Sequence, residues 1–196
     1  MNKGKIIRLG GIGIVLLLLI TTIVSYNGLV GLEEKMKQQW SEVNNAYQRR
    51  IDLIPNLVNV VKGQADFEKS TLEKIAEARN RAASVTLSAS EPTLENIQGN
   101  NTAQNELAVA ANRLIATIER YPELKGTEAF RGLQTQLEGT ERRIKFARKD
   151  FNEAVANYNS QLRSFPANLI GKLFGFSVKE GFQADSGADR AVEITF

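Results

Sequence analysis

The sequence predicts an all-α protein: an N-terminal transmembrane helix followed by an up-and-down antiparallel four-helix bundle, with long first and last helices and an irregular C-terminal tail. Three observations predict it. An almost uncharged apolar run occupies Leu9 to Tyr26. Past that run, apolar residues recur at steps of three and four, the α-helical period, over most of the chain. Turn-forming residues interrupt the pattern at only a few places.

The first element is the anchor. Lys3, Lys5 and Arg8 precede a stretch rich in Leu, Ile and Val. Counted from Ile6 to Tyr26 it gives about 21 residues, or roughly 31 Å of helix, which matches the hydrocarbon thickness of a bilayer. A cleaved signal peptide is the competing reading. The run is long for a signal sequence, however, and nothing between Thr21 and Gly31 resembles an Ala-x-Ala cleavage site. Basic residues cluster before the span, while Glu33, Glu34, Lys35 and Lys37 balance after it. Positive residues stay inside, so the N-terminus is expected in the cytoplasm and the bundle outside, in the periplasm if the cell has two membranes. The expected organisation is therefore 1–28 for the basic N-terminus and anchor, 29–164 for the bundle and 165–196 for the tail.

The bundle helices follow in order. Leu32, Met36, Trp40, Val43, Tyr47, Ile51, Ile54, Val58 and Val61 form one apolar stripe. A weaker stripe, Phe67, Leu72, Ile75, Ala78 and Ala82, places a second helix over Asp66 to Ser84. Val85 to Asn101 is polar, holds Pro92 and Gly99, and reads as a loop. A third helix, about Thr102 to Arg120, carries Leu107, Ala111, Leu114 and Ile118; Pro122 in YPELKG then breaks it. The last helix is the most regular: Phe130, Leu133, Leu137, Thr140, Ile144, Ala147, Phe151, Ala154 and Tyr158 alternate steps of three and four. Thr127 suits its N-cap and Phe165-Pro166 its end.

Phase continuity through Gly63 favours one unbroken helix there, but lengths favour a turn. Segments of roughly 50, 30, 30 and 55 Å stack as up, down, up, down, with the long pair spanning the bundle. The last helix then returns to the membrane, delivering FPANLIGKLFGF (Phe165 to Phe176) to the lipid surface. That segment reads equally as an interfacial helix or as a strap packed on the bundle. Ser177 to Arg190 reads as flexible, and AVEITF (Ala191 to Phe196) as a short strand that could pair in an oligomer.

Composition narrows the chemistry. The 196 residues are 42% hydrophobic and 24% charged, with a net charge of +3 that is dispersed and gives no nucleic-acid footprint. Neither Cys nor His occurs, which removes thiol nucleophiles, His bases, thiolate zinc sites and disulfides. No Gly-rich phosphate loop or nucleophile elbow is present. Gly10, Gly11 and Gly13 lie in the span, where close helix packing is their simpler use. The expectation is no enzyme: no catalytic residues, no cofactor, no metal and no small-molecule substrate.

Some polar residues carry structural expectations. Pro55 should kink the first bundle helix and free carbonyls one turn earlier; Asp52 and Asn56, four apart on that face, read as satisfying that backbone, with binding of a partner as the alternative. Arg49 and Arg50 are expected to pair with Glu141 or Asp150 on the last helix. Arg142, Arg143, Lys145 and Arg148 read as a solvated or paired face more than an anion site. Trp40 reads as core, with an interface anchor as the alternative.

YNGLVGLEEKMKQQWSEVNNAYQRRIDLIPNLVNVVKG (Tyr26 to Gly63), the YPELK turn at Tyr121 to Lys125, GTERRIKFAR at Gly139 to Arg148, Tyr158-Asn159 and the FPANLI...FGF segment occur in order. Together they resemble the LemA family over about Tyr26 to Phe176. The resemblance implies a single-pass bacterial membrane protein with a four-helix bundle. It also implies kinship with relatives implicated in forming or remodelling internal membranes. Two functions are compatible with these readings. One is a scaffold that self-associates as a homo-oligomer and arranges the membrane, held in lipid through Ile6 to Tyr26. The other is an adaptor presenting its bundle to a partner membrane protein, such as a protease or signalling receptor, through the surface around Arg142 and Arg148.

Overall fold

The computed structural model describes residues 3–61, 69–89 and 91–183. Six helices occur among them: α1 (Lys3–Val61), α2 (Lys69–Ser88), α3 (Leu94–Ile118), α4 (Pro122–Lys125), α5 (Glu128–Arg163) and α6 (Ala167–Phe174), with no strand among the described residues. The fold is all-α, as the periodicity predicts. The Gly63 turn, Phe67 and the AVEITF ending lie outside the described residues.

The anchor and the first bundle helix are one element. α1 holds 59 residues, about 88 Å of helix, and passes residues 28 and 29 without a break. It runs antiparallel to α5: Leu29 packs at the level of Leu162, Tyr47 meets Arg148, and Arg50 meets Glu141. α2 and α3 form a shorter antiparallel hairpin, bridged by Thr86–Asn100 and Arg81–Glu106. The hairpin helices reach down to Ala89, whose carbonyl accepts from Trp40 Nε1 at 2.9 Å, and their turn to the level of Met36 and Lys37. Four helices therefore enclose the half of the bundle farthest from the apolar run. The near half consists of α1 and α5, covered by α6 and the chain after it.

The core follows that division. Far from the anchor, Ile51, Ile54, Leu57 and Val61 pack with Ile75, Leu107, Leu114, Phe130 and Leu137. In the middle, Met36, Trp40, Val43 and Tyr47 pack with Ile144, Phe151 and Val155. Nearest the anchor, Leu29, Tyr158, Leu162 and Ala167 close the stack. Every member of the α5 seam is buried except Leu133 and Ala147, which are half-buried. Thr127 caps α5 as expected, its hydroxyl accepting from the Phe130 N–H at 3.2 Å.

The predicted loop at Val85 to Asn101 is instead mostly helix; only residues 89–93 separate α2 from α3. Two of its polar side chains, Thr86 and Asn100, are interior and face each other across the hairpin, while Ser88, Glu91, Thr93, Glu95 and Gln98 are exposed. Thr86 donates to Asn100 Oδ1 at 3.0 Å, and Gln104 donates to Thr86 at 3.3 Å. Asn100 and Gln104 are fully buried. Polarity that reads as loop composition is thus divided between the wet face of two helices and a small hydrogen-bonded layer inside the hairpin. Thr93 caps α3, accepting from the Asn96 N–H at 3.2 Å.

Candidate membrane-proximal site

The end of the molecule that gathers unusual surface is the junction of the apolar run with the bundle. Leu9, Ile12, Ile14 to Ile20, Ile23 and Val24 are each more than half exposed. Apolar exposure all around one helix is not a soluble surface, since an amphipathic helix hides one stripe and wets the other. α1 is also long and apolar enough to cross a membrane. The two hydroxyls in this stretch turn back on their own helix, Thr21 donating to Leu17 O and Thr22 to Leu18 O. That pairing suits a medium with no water to satisfy them.

Beyond α5 the chain turns at Ser164, whose hydroxyl donates to Gln161 O at 2.7 Å, and enters α6. Ala167 and Gly171, one turn apart, form its buried face. The fit is tight: a Cβ on Gly171 would sit 2.3 Å from Leu162 Cδ1 and 3.8 Å from Leu29 Cδ1. This docking brings Phe174 and Phe176 edge-on to Tyr26, with ring centroids 5.0 and 5.6 Å apart. Gly175, with φ +79°, ends the helix in the left-handed conformation that favours glycine.

The chain then runs antiparallel to α5 as an extended strap. Tyr158 donates its hydroxyl to Ser177 O at 3.1 Å. Asn159 donates to Lys179 O at 2.8 Å and accepts from Lys179 N at 2.9 Å. Asn152 repeats the arrangement two turns away, with Phe182 O at 3.0 Å and Phe182 N at 2.8 Å. Two asparagine amides thus act as an edge strand would. Gly181 makes the approach possible, since a Cβ there would meet Asn152 Oδ1 at 2.5 Å. Lys179 also pairs with Glu33 at 3.0 Å, and the Phe182 ring packs on Trp40 and Phe151. The expectation of flexibility across Ser177 to Arg190 is corrected for 177–183; the remainder lies outside the described residues. Burial, with a smaller contribution from Glu33, pushes the Tyr158 phenol up to about 12.

The residues singled out in sequence divide clearly. Arg50 is buried: it donates to Gln104 O at 2.9 Å and Gln104 Oε1 at 3.2 Å, and pairs with Glu141. Arg49 and Asp150 are exposed. Arg142, Arg143 and Lys145 form a solvent-facing edge, whereas Arg148 is committed inward. Its Nε donates to Tyr47 OH at 2.9 Å, and its guanidinium lies over the Phe182 ring at 5.0 Å. Trp40 is core. α1 continues through Pro55 to Val61. Asp52 and Asn56 are exposed, and Asp52 accepts from Gln48 at 2.8 Å. The carbonyl that Pro55 leaves without its helical donor, Ile51 O, accepts instead from Arg79 Nε of α2 at 3.3 Å. Gly10, Gly11 and Gly13 face open space. Among the described residues no group of His, Cys, Asp or Glu could hold a metal ion. Sequence reasoning missed Asn152, Asn159 and Phe182. The one available signal was the seven-residue spacing of the asparagines beside the apolar seam.

The LemA family profile matches residues 39–196. Among characterised proteins, the chain is 26% identical over 189 residues to magnetosome protein MamQ 2 of Paramagnetospirillum magneticum, covering 88% of this chain and 70% of that protein. Magnetosome protein MamQ of Magnetospirillum gryphiswaldense is 25% identical over the same shares. Protein LemA of Metamycoplasma hominis is 20% identical over 177 residues, or 87% of this chain and 77% of that one. A profile match over most of the bundle, together with the all-helical fold, leads to one conclusion: the chain belongs to the LemA family.

Proposed function

We propose that this protein is a non-enzymatic scaffold of the bacterial inner membrane, crossing it once with the N-terminus in the cytoplasm and self-associating through its extracytoplasmic bundle. The observation that carries the reading is the continuity of α1. The same helix supplies the lipid-facing run and, among the described residues, about a third of the buried apolar residues of the bundle, so a force or orientation imposed on one is transmitted to the other without a hinge. Similarity to proteins named for the magnetosome supports a role at a membrane. The face of α1 and α5 opposite the strap supports self-association: Phe146 stands 61% exposed there, beside Ala46, Ala147 and mixed charges from Glu42, Arg49, Arg143 and Asp150. Complementary charge around an apolar centre is the pattern of a protein contact.

The test is the mass of the intact protein in mild detergent by light scattering, with the detergent contribution subtracted. A discrete multiple of 21.7 kDa is expected. A monomer that persists across concentration and detergent removes self-assembly, and a partner membrane protein becomes the better reading. Substitutions that probe such a partner belong at Arg142, Arg143 and Lys145. At Arg148 they would report on folding, because that side chain holds Tyr47 and the strap.

A further inference from the structure

We infer that α6 is a second membrane contact, lying in the headgroup layer of the leaflet on the bundle side. The inference rests on the reading of α1 as the anchor. At 100° per residue α6 has three edges. Ala167 and Gly171 face α1 and α5; Phe174, half exposed, reaches the Tyr26 ring with one edge; Asn168 and Lys172 form a polar edge; Leu169 and Leu173 project outward. Those two leucines are 57% and 75% exposed, and Phe165, just before the helix, is 81% exposed. An eight-residue helix that leaves Leu169, Leu173 and half of Phe174 exposed has not finished burying itself on the bundle.

Position identifies what covers them. α6 lies beside the last turn of the apolar run: Phe174 and Phe176 meet the Tyr26 ring, and Ser25 of α1 is buried at this level. The outward face of α6 is therefore continuous with the lipid-facing surface of α1. A membrane that covers Val24 reaches Leu173. Tyrosine at the end of a span and a lysine that extends its ammonium to the headgroups both belong at that depth. The tight Gly171–Leu162 contact fixes α6 to the long helices, so the bundle would stand on two feet, one spanning and one lying flat. Insertion into one leaflet only would expand that leaflet relative to the other.

The chain has no cysteine, so single-cysteine variants of the intact protein can each carry one environment-sensitive fluorophore without background. Leu173→Cys and Leu169→Cys report on α6, Leu17→Cys on the span and Val109→Cys on the bundle. Each labelled protein is reconstituted in phosphatidylcholine–phosphatidylglycerol vesicles. The lipids carry a spin-label quencher at a shallow or a deep acyl position, and iodide serves as the aqueous quencher. The expected result is a blue-shifted emission at 169 and 173 with loss of intensity to the shallow quencher, against deep quenching at 17 and iodide quenching at 109. Iodide quenching at 169 and 173, with 17 still quenched by lipid, overturns the inference and leaves the anchor intact. Protection from both quenchers at 173 also overturns it, and means that protein covers this face. Aqueous behaviour at 17 would overturn the anchor reading itself.

Discussion

Arg50 carries a charge into a helical interior, and the structure shows what makes that tolerable. Its guanidinium is 3% exposed and reaches three acceptors on two other helices, tying α1 to α3 and α5 at one level. Truncation strands Gln104 and leaves a gap. Arg50→Ala should therefore cost about 1.5–3 kcal/mol, the range for hydrogen bonds to charged groups, read as a lower Tm of the intact protein by circular dichroism in detergent. An unchanged Tm would mean these bonds are not made. Pro55 and Arg79 form a second, sharper case. Proline removes the donor that Ile51 O would have used, and Arg79 supplies another from a different helix. Arg79→Ala should cost about 1 kcal/mol in the native background. The loss should shrink in a Pro55→Ala background, where the helix regains its own N–H. Equal losses in both backgrounds would show that Arg79 does not serve the freed carbonyl.

At the scale of elements, the strap is the part that depends most on side chains. Among the described residues no strand pairs with 177–183; Asn152 and Asn159 supply four of their hydrogen bonds. Asn159→Ala should accelerate hydrogen exchange at the Lys179 amide while leaving α2 and α3 unchanged. Asn152→Ala should free Phe182 from Trp40 and shift tryptophan emission to the red, a direct reading because Trp40 is the single tryptophan. Unaltered emission would mean that aromatic packing alone holds the strap. α6 depends on a different device, a missing side chain. Gly171→Val places methyl groups against Leu162 and Leu29, and overpacking of this kind typically costs about 1–3 kcal/mol. The expected outcome is release of α6, seen as protease cleavage after Lys172 in the variant and not in the native protein.

For the whole molecule, the buried phenols set an alkaline limit. Burial raises the Tyr47 hydroxyl, against the opposing pull of Arg148, and raises Tyr158 to about 12. Below a pH of about 10 both phenols keep their protons folded or unfolded, so they add no pH dependence. Above that value the unfolded chain ionises while the folded one retains its protons. The folded state then binds more protons, and stability falls as pH rises. Thermal stability should fall between about pH 10 and 12, the unfolded and folded values of Tyr158, and Tyr158→Phe should flatten part of that slope. A slope unchanged in Tyr158→Phe would assign the alkaline loss to other groups.

Local pattern determined the apolar span, the α5 seam with its Thr127 cap, the stripe of α1 and the break at Pro122, because each is written in adjacent residues at the helical period. The family was legible too, through ordered motifs that run from Tyr26 to Phe176. Tertiary structure alone decided that the polar stretch from Val85 to Asn101 is mostly helix, since the partners of its buried members Thr86 and Asn100 lie across the hairpin. It also decided that Arg79 answers for Pro55, that Arg50 and not Arg49 turns inward, and that the chain after α6 packs along α5. Each of these is a hydrogen bond or contact between residues distant in sequence. Periodicity can say that a side chain faces inward, but the partner that makes burial affordable is chosen only when another helix arrives beside it.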